Sequence, residues 1–325
     1  MAIWLRIVLT AALLFIGSNS NAQELVKVPV QIPAITPAVT AFAVARERGY
    51  YQQEGLDVQL VVMPSGLGTQ ALLGGNVKFS TAGGAGLMPI LRGAPVRFMF
   101  TSFSRPMFWL YARSDIRSVE SLKGKKVGVS SLGSGPDSLL REILKKHGLD
   151  GGRDVAIMPV GSGTARFYAL QAGSVDAAML SVPANLMAQE AGFRELVNFT
   201  KQDLLDITGS IIVPDALSRS DPAVVEKFTR GTLKGFIYAR ENRAGTTPVL
   251  ARNLKIKEDM AGKILDLSRP AMTVDGTISR EAEKRIVDDV LGRVGLKDAP
   301  PLDRVFNFSL ARKIRAELDA GGWKP

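Results

Sequence analysis

A short Pro/Gly/Thr element occurs twice in this chain of 325 residues. It reads MPSGLGT from Met63 to Thr69 and MPVGSGT from Met158 to Thr164, so the pattern M-P-x-G-x-G-T recurs 95 residues along the chain, from Met63 to Met158. The similarity continues downstream, where LLGGNV at 72–77 and LQAGSV at 170–175 share their Leu, Gly and Val positions. Two unrelated Gly-rich loops would not agree over this distance, so the repeat predicts two related structural units.

Strand-like and helix-like segments alternate in the same order around both copies of the element. The predicted strands cover 25–32, 57–63, 78–82 and 96–103 around the first copy, and 125–131, 154–158 and 175–180 around the second. Strands that alternate with helices pair in parallel and are covered by those helices. We therefore expect an α/β fold with two units, each built on a mainly parallel sheet.

Two further strand-like segments flank the second unit and suggest how the units are connected. They lie within 105–115 and at 207–214, and predicted helices follow at 223–242, 258–268, 280–294 and 309–320. If the chain crosses from one unit to the other in both segments, which are called the first and second crossings, the first lobe is discontinuous. It then comprises residues 23–115 and 207–325. The second lobe, residues 116–206, is then inserted into it, and a two-segment hinge joins the lobes beside a cleft.

The first residues have the pattern of a secretory signal peptide. One charge, Arg6, precedes an apolar run from Ile7 to Gly17, and small residues stand at Ser20 and Ala22 before a cut ahead of Gln23. The apolar run is shorter than the roughly 20 residues that span a bilayer. We expect residues 1–22 to be removed and the mature protein to be soluble in a bacterial periplasm.

The cysteine content and the charge distribution indicate which kinds of partner the protein can have. The chain contains no cysteine, so it has neither disulfides nor a thiol to carry a lipid anchor. Its formal net charge of +10 falls by one when Arg6 leaves with the signal peptide. The basic residues are scattered rather than clustered, which favours a solvated surface over a nucleic-acid interface.

Each MPxGxGT element lies where a predicted strand ends and a predicted helix begins. The first turn of a helix presents unpaired N–H groups and the positive end of the helix dipole, which suit an anion or a carbonyl oxygen. GSGP, at 133–136, has the same character. Helix capping alone explains any one of these loops. Several such loops at the carboxyl ends of strands in both units favour a ligand-binding cleft.

Candidate catalytic groups are scarce. The one histidine, His147, lies near a predicted helix end before Gly148, where a cation complements the helix dipole. One His and no Cys exclude Cys/His nucleophilic chemistry and the common zinc sites. GSGPDS lacks the third Gly of a dinucleotide fingerprint, since Ser138 stands there. We expect neither a cofactor nor a metal, and carboxylate-only chemistry stays open without a compact Asp/Glu cluster to support it.

Arg105 is a candidate of a different kind. It directly precedes Pro106 at the start of the first predicted crossing, where it could face the cleft and pair with an acidic ligand. An exposed arginine without a role is an equally good interpretation. The nearby aromatic residues Phe103, Trp109 and Tyr111 are expected to pack in the hinge rather than stack on a ligand.

Several segments resemble a known family. LKGKKVGV (122–129), GSVDA (173–177) and the run from FAVARERGYY (42–51) to FSTAG (79–83) resemble the substrate-binding proteins of ABC importers. The resemblance is to the nitrate/sulfonate/taurine and thiamine-pyrimidine-precursor branch, and it covers roughly residues 25 to 240. It implies a type II periplasmic binding fold, with two α/β lobes, a two-segment hinge and a ligand held between the lobes.

The resemblance also implies which loops contact the ligand. By motif position, and together with Arg105, the implied ligand-binding residues are Thr36, Pro37, Ser65, Gly66, Leu67, Gly68, Thr69, Gly83, Gly84, Ala85, Gly133, Ser134, Gly135, Ser162, Gly163, Thr164, Ser181, Pro183 and Asn185. The chain departs from the sulfonate-type pattern at two of these loops. It has Gly-Gly-Ala where a polar or acidic residue is usual, and Ser181-Val182-Pro183 where Trp-Asp-Pro is usual. The loss of acidic side chains argues against an amino-bearing ligand such as taurine.

The sequence thus favours a monomeric periplasmic solute-binding protein, not an enzyme, that delivers a small organic anion to an ABC permease. Two alternatives remain open. One is a sensor protein that presents its ligand to a membrane receptor through the same cleft. The other is an enzyme on the same fold, against which the missing cysteines and the helix-end position of His147 argue.

Overall fold

The structure, a computed structural model, describes residues 24–81, 83–294 and 298–325. The predicted signal peptide, residues 1–22, lies outside these ranges. Within them, no helix combines the length and the apolar character needed to cross a bilayer.

Two five-stranded sheets with the same topology form the framework. The first has the strand order β2-β1-β3-β10-β4 and the second the order β7-β6-β8-β5-β9. The strands are β1 Val26–Ile32, β2 Leu56–Val62, β3 Phe79–Ser80, β4 Val96–Thr101, β5 Trp109–Ala112, β6 Lys126–Val129, β7 Ala156–Pro159, β8 Ala177–Leu180, β9 Arg194–Asn198 and β10 Ser210–Pro214. The predicted α/β class and the internal repeat are confirmed, because each unit contributes three neighbouring parallel strands in the same order.

Helices cover both sheets. They are α1 Thr40–Glu47, α2 Tyr50–Gln53, α3 Ser65–Leu73, α4 Gly84–Leu91, α5 Gly135–Lys146, α6 Gly163–Gln171, α7 Ala184–Glu190, α8 Asp215–Ser220, α9 Pro222–Glu241, α10 Arg243–Leu254, α11 Glu258–Ser268, α12 Arg280–Val294, α13 Leu302–Val305 and α14 Ser309–Ala320. Helices α1 and α2 are separated at Gly49, whose φ of 72° is left-handed. Helix α10 and strand β9 were not predicted, and α10 carries Pro248 in its interior.

The two segments expected to be crossings are themselves strands of the sheets. β5 pairs antiparallel with β8 and β9 in the second sheet, and β10 pairs antiparallel with β3 and β4 in the first. The chain therefore passes between the sheets within 102–108 and again within 199–209. Residues 109–112 pair with the second sheet. The hydrogen-bonded pairing of β5 places it in the second sheet. Its apolar composition alone is equally compatible with a sheet strand and with a segment that links the two units.

The C-terminal helices contribute to cores of both units. One face of the first sheet is covered by α1, α9 and α14 around Phe228 and Phe236, and its other face by α3, α4 and α12. The residues Leu250, Ile264 and Leu265 of α10 and α11 instead join a core with Phe167 and Leu180 of the second unit. Here the first lobe means the first sheet and its helices, and the second lobe means the second sheet with α5, α6 and α7. The division of the chain into domains stays a prediction.

Candidate functional site

Strand directions bring the predicted loops to one edge of each sheet. β1, β2 and β3 are parallel, so the loops after them, which begin at residues 33, 63 and 81, leave from the same edge of the first sheet. β6, β7 and β8 are parallel in the second sheet, so the loops at 130–134, 160–162 and 181–183 share an edge in the same way. The carboxyl ends of parallel strands are where open α/β sheets bind ligands.

The two crossings connect these same two edges. β4 ends and β10 begins at the carboxyl edge of the first sheet, while β5 begins and β9 ends at the carboxyl edge of the second. The crossings are hydrogen-bonded to each other, with Phe103 N donating to Thr208 O (3.2 Å) and Asp206 N to Ser104 O (3.1 Å). A third segment lies beside them, where Ser104 N donates to Ala271 O at 3.0 Å.

A neutral side chain, Gln31, packs behind the first MPxGxGT loop. The sequence interpretation missed this residue. Gln31 lies at the end of β1 and is fully buried. Its Nε2 donates to Met63 O (2.8 Å), and its Oε1 accepts from Ser80 Oγ (2.6 Å). Gly68 packs directly on it, since a Cβ on Gly68 would lie 2.6 Å from Oε1. The amide thereby ties the loop after β2 to the ends of β1 and β3.

The residues predicted in this loop separate into two groups. Gly66 and Leu67 are exposed in the first turn of α3, while Gly68 and Thr69 are buried. Thr36 and Pro37, after β1, are half-buried, and Thr36 O accepts from Val39 N at 3.1 Å. Ser65 begins α3. Gly66 and Leu67 therefore present exposed surface at the start of α3.

The loop after β3 requires glycine at its turn. Gly83 has φ 55° and ψ −135°, a conformation that side chains other than hydrogen strongly disfavour. A Cβ there would lie 3.5 Å from Ile207 O, so this turn packs against the second crossing. Gly84 and Ala85 form the first turn of α4. Gly83 thus lies beside the second crossing, and Gly84 and Ala85 follow it directly.

The second MPxGxGT loop is backed by a cation, Arg166. Ser162 caps α6, with its Oγ accepting from Ala165 N at 3.1 Å. Beneath this turn, the buried Arg166 donates from Nε to Met179 O and from Nη1 to Gly161 O, both at 2.5 Å. Burial lowers the pKa of Arg166 to about 10, which still leaves it protonated at neutral pH. Ser162 and Thr164 are exposed above it.

The loop of Gly133, Ser134 and Gly135 differs from the others because it already holds an anion. The buried carboxylate of Asp137 accepts from Gly133 N at 2.7 Å and from Arg141 Nε at 2.9 Å. Ser134 Oγ donates to Ser131 O at 2.6 Å. An internal carboxylate at this helix start weakens the predicted role of the loop as an anion site.

The turn before α7 brings Ser181 and Asn185 close to the second element. A Cβ on Gly163 would lie 3.0 Å from Ser181 Oγ and 3.6 Å from Ala184 Cβ. Asn185 is 2% exposed, and its Oδ1 has no hydrogen-bond partner within the described ranges. Pro183 stands between them as the residue before α7. This turn and the start of α6 therefore form one continuous surface.

Arg105 is exposed on the first crossing and forms no ion pair with any described residue. On the second crossing, Asp206 N donates to Ser104 O, next to Arg105 in the chain. Burial raises the pKa of Asp206, although Thr208 Oγ1 and Ile207 N donate to its carboxylate at 2.5 and 2.7 Å. The crossings thus carry the exposed cation of Arg105 and the partly shielded carboxylate of Asp206.

Apolar side chains are exposed on the same loops. Leu67 is 56% exposed in the first turn of α3, and Leu132 is 59% exposed in the loop after β6. Ile35, in the loop after β1, is exposed to a similar degree. Each lobe thus presents apolar surface next to helix N-termini, an arrangement that suits a ligand with both a charged group and a hydrocarbon body.

His147 lies away from these loops. It caps the C-terminus of α5, and its Nδ1 lies 2.6 Å from Glu120 Oε1. The predicted surface position at a helix end is confirmed. The parts of the chain that the structure describes contain no group of three or more His, Cys, Asp or Glu side chains suited to a metal ion.

Among the functional candidates, Gln31, Asp137, Arg166 and Asp206 were missed from the sequence. Only Gln31 could have been found from the sequence, because it is a polar residue near the end of the apolar strand VKVPVQI. The roles of Asp137, Arg166 and Asp206 depend on burial, which residue type and spacing do not show. The individual ligand-binding residues stay predictions, although their loops are brought to the two joined edges.

Comparison with known proteins points to one family and one fold. A family model described as NMT1/THI5 like matches residues 36–244, more than half of the chain. No curated protein sequence matches the chain significantly.

Three solved structures illustrate the fold. The periplasmic aliphatic sulphonate binding protein SsuA from Escherichia coli is 19% identical, with a TM-score of 0.68 over 87% of this chain and 92% of its own. The alkanesulfonate-binding protein SsuA from Xanthomonas axonopodis pv. citri, bound to MOPS, is 21% identical, with a TM-score of 0.65 over 90% and 97%. The desulfurization enzyme DSZB is 17% identical, with a TM-score of 0.70 over 90% and 99%. At such identities the likeness shows the fold alone, and it confirms the predicted two-lobed periplasmic binding fold.

Proposed function

This chain belongs to the family described as NMT1/THI5 like, and on that basis we propose that it is a periplasmic solute-binding protein of an ABC importer. It binds a small organic anion between its two lobes and delivers it to the permease. The family resemblance noted in the sequence agrees with the matching family model. The two SsuA proteins are described as sulfonate-binding proteins, which makes sulfonates the first ligand class to test.

The observation that carries the proposal is the placement of six strand-to-helix loops on two sheet edges that the crossings join. Ligands that contact loops of both lobes bind better when the lobes close around them. A ligand shifts an open–closed equilibrium only by its preference for the closed form. Hydrogen-bonded crossings of a few residues, such as 102–108 and 199–209, are suited to hinge closure.

Charge and apolar surface support an organic anion. Arg166 and Arg105 have no carboxylate partner among the described residues, and both lie in segments that bound the joined edges. Leu67 and Leu132 add exposed apolar surface in both lobes. An anion satisfies the cations and helix N-termini, while a hydrocarbon or ring contacts the leucines. A simple inorganic anion would leave the leucines without a role.

The first experiment identifies what the protein carries. Mass spectrometry of molecules released from the purified protein is followed by a thermal-shift series with methanesulfonate, benzenesulfonate, benzoate and a pyrimidine. A ligand at a hundredfold excess over its Kd stabilises the folded state by about 2.7 kcal/mol. Small-angle scattering with the tightest ligand should show a smaller radius of gyration. Absence of compaction with every bound anion would refute the closure mechanism.

An enzyme on this fold is the alternative that the likeness to DSZB raises. The sequence contains no cysteine. The one histidine, His147, caps the C-terminus of α5, at the opposite end of the helix from the Gly133–Gly135 loop. Incubation with each bound compound, followed by chromatography, distinguishes the two functions. A binding protein returns its ligand unchanged, whereas turnover would support catalysis. For transport itself, only ligand-loaded protein should stimulate the ATPase of its cognate permease in liposomes.

A further inference from the structure

Arg166 is a buried cation without an acidic partner. The residue is 3% exposed, and its Nε and Nη1 donate to the backbone carbonyl oxygens of Met179 and Gly161. No described Asp or Glu forms an ion pair with it, and burial alone lowers its pKa. A charge removed from water is costly unless another group compensates it. Two carbonyl dipoles compensate this charge only in part.

The unused part of the guanidinium lies next to the start of α6. Nη2 has no hydrogen-bond partner among the described residues, and it lies 3.8 Å from the position that a Cβ on Gly163 would take. Gly163 is the first residue of this nine-residue helix. The N–H groups of Gly163 and Thr164 belong to the first turn, which has no acceptors within the helix. A fixed positive charge and free helix N–H groups therefore coincide at one loop.

The corresponding loop of the first lobe lacks this charge. Gly68 occupies the repeat position that matches Gly163, and it packs on the neutral amide of Gln31. The hydrogen-bonding capacity of that amide is directed to Met63 and Ser80. Leu67 is exposed in this loop, where the second copy has Ser162. The two copies of one sequence element thus differ in charge and in polarity.

We propose that Arg166 fixes the anionic group of the ligand at the second lobe, by placing positive charge behind the Gly161–Thr164 loop and the first turn of α6. The first lobe then contacts the neutral body of the ligand through its Gln31-backed loop. Arg166 is a positioning residue that acts through the loop and the helix start. This inference rests on the proposed function, because it assigns roles to the two lobes in binding an organic anion.

The test compares an anion with a neutral compound of similar shape. Benzenesulfonate and benzenesulfonamide are titrated by calorimetry into wild type, Arg166→Gln, Arg166→Lys and the control Lys145→Gln. Lys145 is exposed in the last turn of α5 and also lies in the second lobe, so the control removes one positive charge away from the loop. We expect Arg166→Gln to weaken benzenesulfonate at least tenfold and benzenesulfonamide less than twofold. Arg166→Lys should keep most of the preference, and Lys145→Gln all of it.

Equal weakening of both compounds by Arg166→Gln would mean that Arg166 only maintains the loop, and would overturn the proposal. An unchanged preference for the anion would overturn it as well. Because Arg166→Gln could fail to fold, the Nε–H resonance of Arg166 is also followed by nitrogen-15 NMR in wild type. It should shift with benzenesulfonate and stay fixed with benzenesulfonamide, and a fixed resonance with both bound would refute the proposal. If no organic anion binds wild type at all, the proposed function fails, and this inference fails with it.

Discussion

The Oε1 atom of Gln31 lies 2.6 Å from the position that a Cβ atom on Gly68 would occupy. Gln31 cannot move away without cost, because its amide is hydrogen-bonded to Met63 and Ser80. The glycine in the first MPxGxGT element is therefore required by a close approach between α3 and β1. A Cβ on the matching Gly163 would lie 3.0 Å from Ser181 Oγ, so the repeated glycine reflects a close approach of the helix start in both lobes.

The first prediction follows from this contact. Gly68→Ala should lower the free energy of unfolding by about 1–3 kcal/mol, because overpacking outweighs the gain in helix propensity. Gly66→Ala is the matched control, since a Cβ at Gly66 would meet nothing within 4 Å. The control should keep or slightly raise stability. Urea unfolding measures both, and equal stability of the two variants would contradict the packing argument.

The second prediction separates capping from ligand binding. Ser162→Ala removes the cap on Ala165 N and should cost about 1 kcal/mol of stability. Thr164→Ala should leave stability unchanged, because Thr164 is exposed. The double variant should weaken ligand binding at least tenfold, which corresponds to about 1.4 kcal/mol. Unchanged affinity in calorimetry would remove this loop from the site.

The third prediction concerns the apolar surface of the loops. Leu67→Ser and Leu132→Ser should each weaken binding of an organic ligand by about 1 kcal/mol, roughly fivefold, since each variant loses the apolar area that the leucine buries against the ligand on closure. Stability should change by less than about 0.5 kcal/mol, because both leucines are already exposed. Val274→Ser is the control, as Val274 is 64% exposed outside these loops. A loss of affinity in the control equal to that in Leu67→Ser would argue against a specific apolar contact.

The fourth prediction concerns the acid stability of the first lobe. Burial opposes ionisation of Asp215, but hydrogen bonds from Arg97 (2.7 Å) and Arg304 (2.6 Å) outweigh it and hold the pKa of Asp215 below its ordinary 3.8. A lowered folded-state pKa contributes stability above the ordinary pKa, and that stability is lost as the pH falls through the lowered value. At neutral pH, Asp215→Asn should cost about 1.5–3 kcal/mol.

The measurement is urea unfolding between about pH 3 and pH 7. The stability difference between wild type and Asp215→Asn should be constant near neutrality and shrink below the ordinary pKa of 3.8. Asp303→Asn is the control, because that carboxylate is exposed and pairs with Arg280 at the surface. A stability difference for Asp215→Asn that stays constant throughout would show that ionisation of Asp215 does not contribute.

The fifth prediction tests the helix packing that supports the first sheet. A Cβ on Gly235 of α9 would lie 2.7 Å from Ala45 Cβ of α1. Gly235→Ala should therefore destabilise the protein by about 1–3 kcal/mol. Gly292→Ala in α12 is the opposite case, since nothing lies within 4 Å and the helix gains up to about 1 kcal/mol from alanine. In thermal unfolding, the midpoint temperature should fall for Gly235→Ala and rise for Gly292→Ala.

Much of the fold was predictable from local pattern. The predicted helices at 258–268, 280–294 and 309–320 coincide with α11, α12 and α14, because periodic apolar residues are a local property of the chain. The repeat of MPxGxGT predicted two sheets of equal topology. Helix α10 was missed because GTTP within it has the character of a loop, and its position depends on packing against α1 and α11.

The sequence by itself determined that two related α/β units exist and that each carries Gly-rich strand-to-helix loops. Spacing and residue type suffice for that, since they set where strands end and helices begin. The tertiary structure decided that β5 and β10 enter the sheets, and that Gln31 lies behind one loop and Arg166 behind the other. Those facts depend on pairing and burial between residues distant in sequence, and burial alone turns the ordinary-looking arginine of TARFYAL into an unpaired interior charge.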